Sequence, residues 1–122
     1  METSQTNTLP KEERLCGKTG ISQLLAKGRH GNVPNMRYLC LKENGKEFNR
    51  IMVSVPKKLF KRAVKRNLLK RRIRESYRKQ KHELNLKSGV DLLFMYSTKE
   101  ILSYEEIYKT VGQIIRKINE SE

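Results

Sequence analysis

Residues 57–88 contain neither glycine nor proline, and positions 57–81 carry thirteen Lys or Arg against one acid, Glu75. A stretch this charged cannot collapse on itself, yet Leu, Lys, Arg, Gln and Glu dominate it, and all are strong helix formers. It predicts one helix of about twenty residues, which the rest of the chain must anchor. In that helix Asn67, Lys70, Arg71, Arg74 and Arg78 fall at offsets 0, 3, 4, 7 and 11, within an arc of roughly 100°. Leu69, Ile73, Ser76, Tyr77 and Gln80 form a second stripe, turned toward a core. The helix thus has a docking face and a presenting face. Like charges one turn apart cost a few tenths of a kcal/mol per pair, so packing of the second stripe must offset the repulsion, and an anionic ligand would remove it.

The rest of the chain supplies the anchor. At 122 residues it is sized for one domain, read here as a flexible tail over 1–13 and a single domain over 14–119. Ile21, Leu24, Leu25 and Gly28 mark a short helix with a glycine stop, and residues 29–35 read as loop. Asn44-Gly45 is the pair that type I′ turns favour, and it predicts a hairpin between two strands within 36–55. In the second strand Asn49, Ile51, Val53 and Val55 share one face and Arg50, Met52 and Ser54 the other; Pro56 ends it. Residues 89–97 read as a buried strand interrupted by Asp91. Ser103 with Glu106 makes a capping box, followed by an apolar stripe of Ile107, Val111, Ile114, Ile115 and Ile118. The order α, β-hairpin, α, β, α predicts an α+β or α/β sandwich, helices on one small sheet.

The whole chain carries 27 basic and 13 acidic residues, so outside 57–81 the balance is nearly even, 14 against 12. One concentrated positive source on a small domain points to a polyanion. A merely solvated face fits the missing acids poorly. A membrane surface would need a wide apolar face free to insert, and this one is narrow and claimed by the sheet. Nucleic acid fits best: Lys as point charge, Arg as a bidentate fork for phosphate, Asn67 at a sugar or base edge. A helix read between strands, without a helix-turn-helix or zinc scaffold, favours RNA over DNA, with the sheet face as a second surface for an unstacked strand.

Catalytic chemistry is thinly represented. Asp91 is the one aspartate, and most of the glutamates lie in the tail, turn and helix ends, where a nuclease holding its own metals needs clustered carboxylates. His30 and His82 are far apart in sequence, and Cys16 and Cys40 form no metal or redox motif. No run is long and apolar enough to span a membrane, and residues 1–14 lack the apolar core of a secretory signal. Reduced thiols and a cytoplasmic location are the expectation.

Arg66-Asn67, Lys70-Arg71, Arg74-Glu75 and Arg78, preceded by a strand ending in Val53-Ser54-Val55-Pro56-Lys57-Lys58 and by Ala63-Val64, resemble the signature of the bacterial ribonuclease P protein component. The likeness runs over roughly 14–118 and includes the order of the flanking elements. It implies a two-layer sandwich like that of a ribosomal protein domain, a small mixed sheet with three helices and a left-handed βαβ crossover, against the usual right-handed rule. It also implies a role as the protein subunit of an endoribonuclease. On that resemblance a ribonuclease P RNA would perform the Mg²⁺-dependent cleavage that frees the 5′ end of tRNA, and no residue of this chain would be catalytic. By resemblance, Arg66, Asn67, Lys70, Arg71 and Arg74 meet the catalytic RNA, with Lys57, Lys58, Lys61, Arg62 and Arg78 extending that surface. Ile21, Leu25 and Tyr38 would line the cleft for the precursor's 5′ leader. Three departures stand out: Leu68 where members often carry a basic residue, aliphatic Ile21 and Leu25 where aromatics are usual, and no glycine in the turn after Lys57-Lys58. Charge alone would equally allow a ribosomal or other structural RNA-binding protein.

Overall fold

A computed structural model of the chain describes residues 18–42, 44, 49–84 and 89–120. The predicted tail over 1–13, Gly45 and Cys16 lie outside them. The elements run α1 (Lys18–Lys27), β1 (Arg29–Val33), β2 (Met36–Lys42), β3 (Arg50–Ser54), α2 (Ala63–Gln80), a 3₁₀ turn (Lys81–Glu83), β4 (Val90–Tyr96) and α3 (Tyr104–Glu120). The four strands form one mixed sheet in the order β1-β2-β4-β3. β1–β2 and β2–β4 are antiparallel, and β3–β4 is parallel, with α2 as the crossover between them.

That order corrects the expected hairpin at Asn44-Gly45. β2 and β3 are not neighbours; β4 lies between them. The physical reason is in β4 itself: Val90, Leu92, Phe94 and Tyr96 point one way and Leu93 the other, all buried. Such a strand needs partners on both edges and cover on both faces. The hairpin that does form is one strand earlier. Residues 29–33, expected as loop, are the edge strand β1, joined to β2 by Pro34-Asn35 across the pair Val33↔Met36. Proline fixes φ at the first turn position, and Asn35 takes φ 71°, a region asparagine tolerates.

Two apolar layers cover the sheet. On one face, Met36 and Cys40 of β2, Ile51 and Val53 of β3 and the even-numbered residues of β4 meet α2 and α3. The stripe Ile107, Val111, Ile114, Ile115 and Ile118 is buried in full, as its spacing requires. On the other face, Leu39 and Leu93 pack under Leu24 of α1, flanked by Ile21, Leu41, Met52 and Met95.

The capping box forms as read. The Glu106 N–H donates to Ser103 Oγ at 3.2 Å, and the Ser103 N–H donates back to Glu106 Oε1 at 3.1 Å. Ser103→Ala is expected to cost about 1 kcal/mol, measurable as a lower urea midpoint at unchanged slope.

Candidate nucleic-acid interface

The chain leaves β3 at Pro56 and turns sharply, with the N–H groups of Leu59 and Phe60 both donating to the Pro56 carbonyl at 3.1 and 3.3 Å. Phe60 drops into the core against Tyr96, ring centroids 5.9 Å apart. This anchor leaves Lys57, Lys58, Lys61 and Arg62 exposed. Arg66 reaches back and donates from Nη1 to the carbonyls of Phe60 and Lys61, both at 2.8 Å. It ties the turn to the first turn of α2.

On α2 the two stripes separate as the spacing demands. Leu69, Ile73, Ser76, Tyr77 and Gln80 are its buried residues. Tyr77 meets Phe94 with centroids 5.9 Å apart. Buried Ser76 and Gln80 both find partners: Ser76 Oγ donates to the Arg72 carbonyl at 2.8 Å, and Gln80 Nε2 to the Tyr108 carbonyl of α3 at 2.9 Å. Asn67, Arg71 and Arg74 are exposed on the far side, and Lys70 is half-buried beside them. Arg78 sits on the same arc but is held by Glu75, Nε to Oε1 at 3.0 Å plus a second contact from Nη2 to Oε2. The hydrogen bond from Arg78 holds the Glu75 carboxyl below its ordinary range. The presenting face is therefore a run of mostly exposed cations from the Lys57 turn to Arg74, with Arg66, Lys70 and Arg78 half-buried and Arg66 and Arg78 also serving the fold.

The second surface departs from expectation. Ile21 and Leu25 lie on α1, Ile21 half-buried against the sheet and Leu25 60% exposed. Tyr38 does not join them. It pairs with Phe94 across β2–β4 and packs with the α2/α3 layer, on the opposite face of the sheet. Its ring lies over Gly31, where a Cβ would come within 2.2 Å of it. Tyr38 is thus removed from the α1 cleft. The β2 residues on the α1 face are Arg37, Leu39 and Leu41. β2 is apolar on both faces near its middle, so period-2 alternation could not set its parity.

Sequence reasoning also missed a buried ion pair on the α1 face. Asp91 is fully buried and accepts from Arg50 Nε and Nη2 at 2.8 and 2.7 Å and from Asn44 Nδ2 at 2.8 Å. It fixes the β3–β4 register at Arg50↔Asp91; Asp91 in an apolar strand was the available signal. Cys40 is buried and reduced, and burial pushes its thiol pKa up to about 11, so it is no nucleophile at neutral pH. His30 is exposed on β1 and His82 is exposed beside α2's end. Among the described residues no three His, Cys, Asp or Glu side chains cluster as metal ligands.

A family model for ribonuclease P matches residues 9–119. The chain belongs to the ribonuclease P protein family. Within it, the chain is similar to the ribonuclease P protein component of Porphyromonas gingivalis, 33% identical over 117 residues that cover 94% of this chain and 75% of the relative. It is similar to that of Petrotoga mobilis at 34% identity, covering 91% and 95%. Its fold matches solved ribonuclease P proteins. The Thermotoga maritima structure superposes with TM-score 0.74 at 21% identity, covering 86% of this chain and 96% of that one. The Staphylococcus aureus structure gives 0.75 at 20% identity, covering 87% and 94%. The expected class, three helices on a small mixed sheet, is the one observed. Membership brings an RNA partner. No helix among the described residues is long and apolar enough to cross a membrane.

Proposed function

We propose that this chain is the RNA-binding subunit of a ribonuclease P holoenzyme that removes the 5′ leader of precursor tRNA in the cytoplasm. The catalytic RNA binds along the turn at Lys57 and the exposed arc of α2. The leader lies on the opposite sheet face, beside Ile21 and Leu25 of α1 and over Arg37, Leu41 and Met52 rather than Tyr38. The observation that carries this reading is the division of α2, one stripe sunk in the core and the other an array of cations almost without acids. Anchored at a fixed spacing, those cations meet phosphates without first losing side-chain and helix disorder.

The phosphodiester hydrolysis is left to the RNA. Mg²⁺ serves that step, and the donor set here does not fit it: the one aspartate is enclosed by Arg50 and Asn44. This chain binds, orients and neutralises charge.

Equilibrium binding to a bacterial ribonuclease P RNA and to ribosomal RNA fragments of equal length, in the same salt, tests the reading. A preference of about tenfold or more for the ribonuclease P RNA is expected. Equal or tighter binding to ribosomal RNA would favour a structural ribosomal role instead.

A further inference from the structure

The cation face of α2 is not uniformly polar. Leu69, Ile73 and Tyr77 account for the helix's apolar contribution to the core. The remaining apolar residues, Ala63, Val64 and Leu68, all lie in its first two turns. Val64 is 79% exposed, and Leu68, one turn on, is half-buried. A single exposed aliphatic is ordinary; Val64 differs in standing over half-buried Leu68 inside a strongly basic surface. On the helical wheel Val64 lies about 20° from Arg71 and about 60° from Asn67, and exposed Lys61 and Arg62 precede it. Arg72, below Leu68, is turned away and donates to the carbonyl of Leu102, in the segment before α3.

We propose that Val64 and Leu68 form an apolar seat for an unpaired nucleotide of the RNA bound on α2, with the Asn67 amide at its base edge and neighbouring cations on its phosphates. The proposal rests on the RNA-binding reading and adds to it a contact that charge cannot supply. The occupant follows from its surroundings. A second copy of this chain would bring the same cations against themselves, and a two-residue patch is too small to insert in a membrane. A paired RNA helix offers phosphates and 2′-hydroxyls, while its base faces are covered by stacking. An unpaired nucleotide offers an uncovered apolar face, a hydrogen-bonding edge and a phosphate together. Those three chemistries meet three kinds of side chain at the start of α2.

Salt dependence separates the two kinds of contact, because counterion release belongs to cation–phosphate contacts alone. The test measures affinity for a bacterial ribonuclease P RNA from low to high salt, for the full chain and for Val64→Ser, Val64→Lys and Arg71→Gln. Val64→Ser is expected to weaken binding about five- to tenfold at every salt concentration, giving a line parallel to that of the unaltered chain. Arg71→Gln should flatten the line by about one unit of slope. Val64→Lys should bind more weakly than the unaltered chain at high salt despite its added charge. Because Val64 is exposed, the variants should keep the melting temperature of the unaltered chain.

Val64→Ser binding within twofold of the unaltered chain overturns the proposal, as does Val64→Lys binding tighter throughout. So does Val64→Ser changing sedimentation while leaving RNA affinity intact, which would assign the patch to self-association. If the unaltered chain itself binds the RNA without salt dependence, the parent reading fails instead.

Discussion

Asp91→Ala is expected to cost about 3–5 kcal/mol of folding stability, more than any surface substitution discussed here. The carboxylate has no exposed surface, and the Arg50 side chain is only 17% exposed. Deleting the acid leaves a guanidinium and the Asn44 amide largely out of water after losing their shared partner. Replacing both members, as in Arg50→Met with Asp91→Leu, should recover most of the loss, because two apolar groups need no partner. Urea denaturation of the two single variants and the double variant measures the coupling. Asp91 lies on the sheet face away from α2, so whatever folds of Asp91→Ala should bind the catalytic RNA with unaltered salt dependence. A loss of affinity in the folded fraction would mean that this pair serves the RNA surface as well as the sheet.

Replacing Lys70, Arg71 and Arg74 together by Gln should move binding and stability in opposite directions. Three lost phosphate contacts flatten the salt dependence of RNA binding by about two to three units of slope. At roughly 1 kcal/mol each, they weaken binding about a hundredfold at moderate salt. The folded protein should be no less stable, and by a few tenths of a kcal/mol per relieved pair more so, since Lys70–Arg74 and Arg71–Arg74 are like charges at helical contact spacing. Salt titrations of affinity alongside thermal melts check both halves. A drop in stability equal to the drop in affinity would place these side chains in the fold rather than at the interface.

Helices were the legible part of this chain. Where one stripe is apolar and the other is not, the 3.6-residue period leaves a single orientation, and both α2 and α3 bury the stripes their spacing marks. The three later strands were legible as segments but not as neighbours. Asn44-Gly45 carries a local turn preference worth little beside the cost of leaving the strand Val90–Tyr96 at an edge, so β4 separates β2 from β3. Residues 29–33 have weak intrinsic strand preference; pairing with β2, and the Tyr38 ring over Gly31, make them a strand anyway. The same ring shows why Tyr38 does not join Ile21 and Leu25. In a strand apolar on both faces, sequence alone does not say which residue faces α1. Arg50 and Asp91 lie 41 positions apart, and only the parallel β3–β4 register brings them together. The cation arc was fully visible in sequence, but the division of labour within it was not: Arg66 and Arg78 find partners in the turn and in Glu75.

The most direct test of the proposed role is precursor-tRNA cleavage at low Mg²⁺ by a bacterial ribonuclease P RNA, with this chain, with its Lys70/Arg71/Arg74→Gln variant, and with each component alone. The RNA with the unaltered chain should cleave at the mature 5′ end, the variant should need much more protein to reach the same rate, and the chain alone should leave the precursor intact. Cleavage by the chain without RNA, or an RNA reaction indifferent to its addition, would contradict the proposal that this protein binds and positions while RNA does the chemistry.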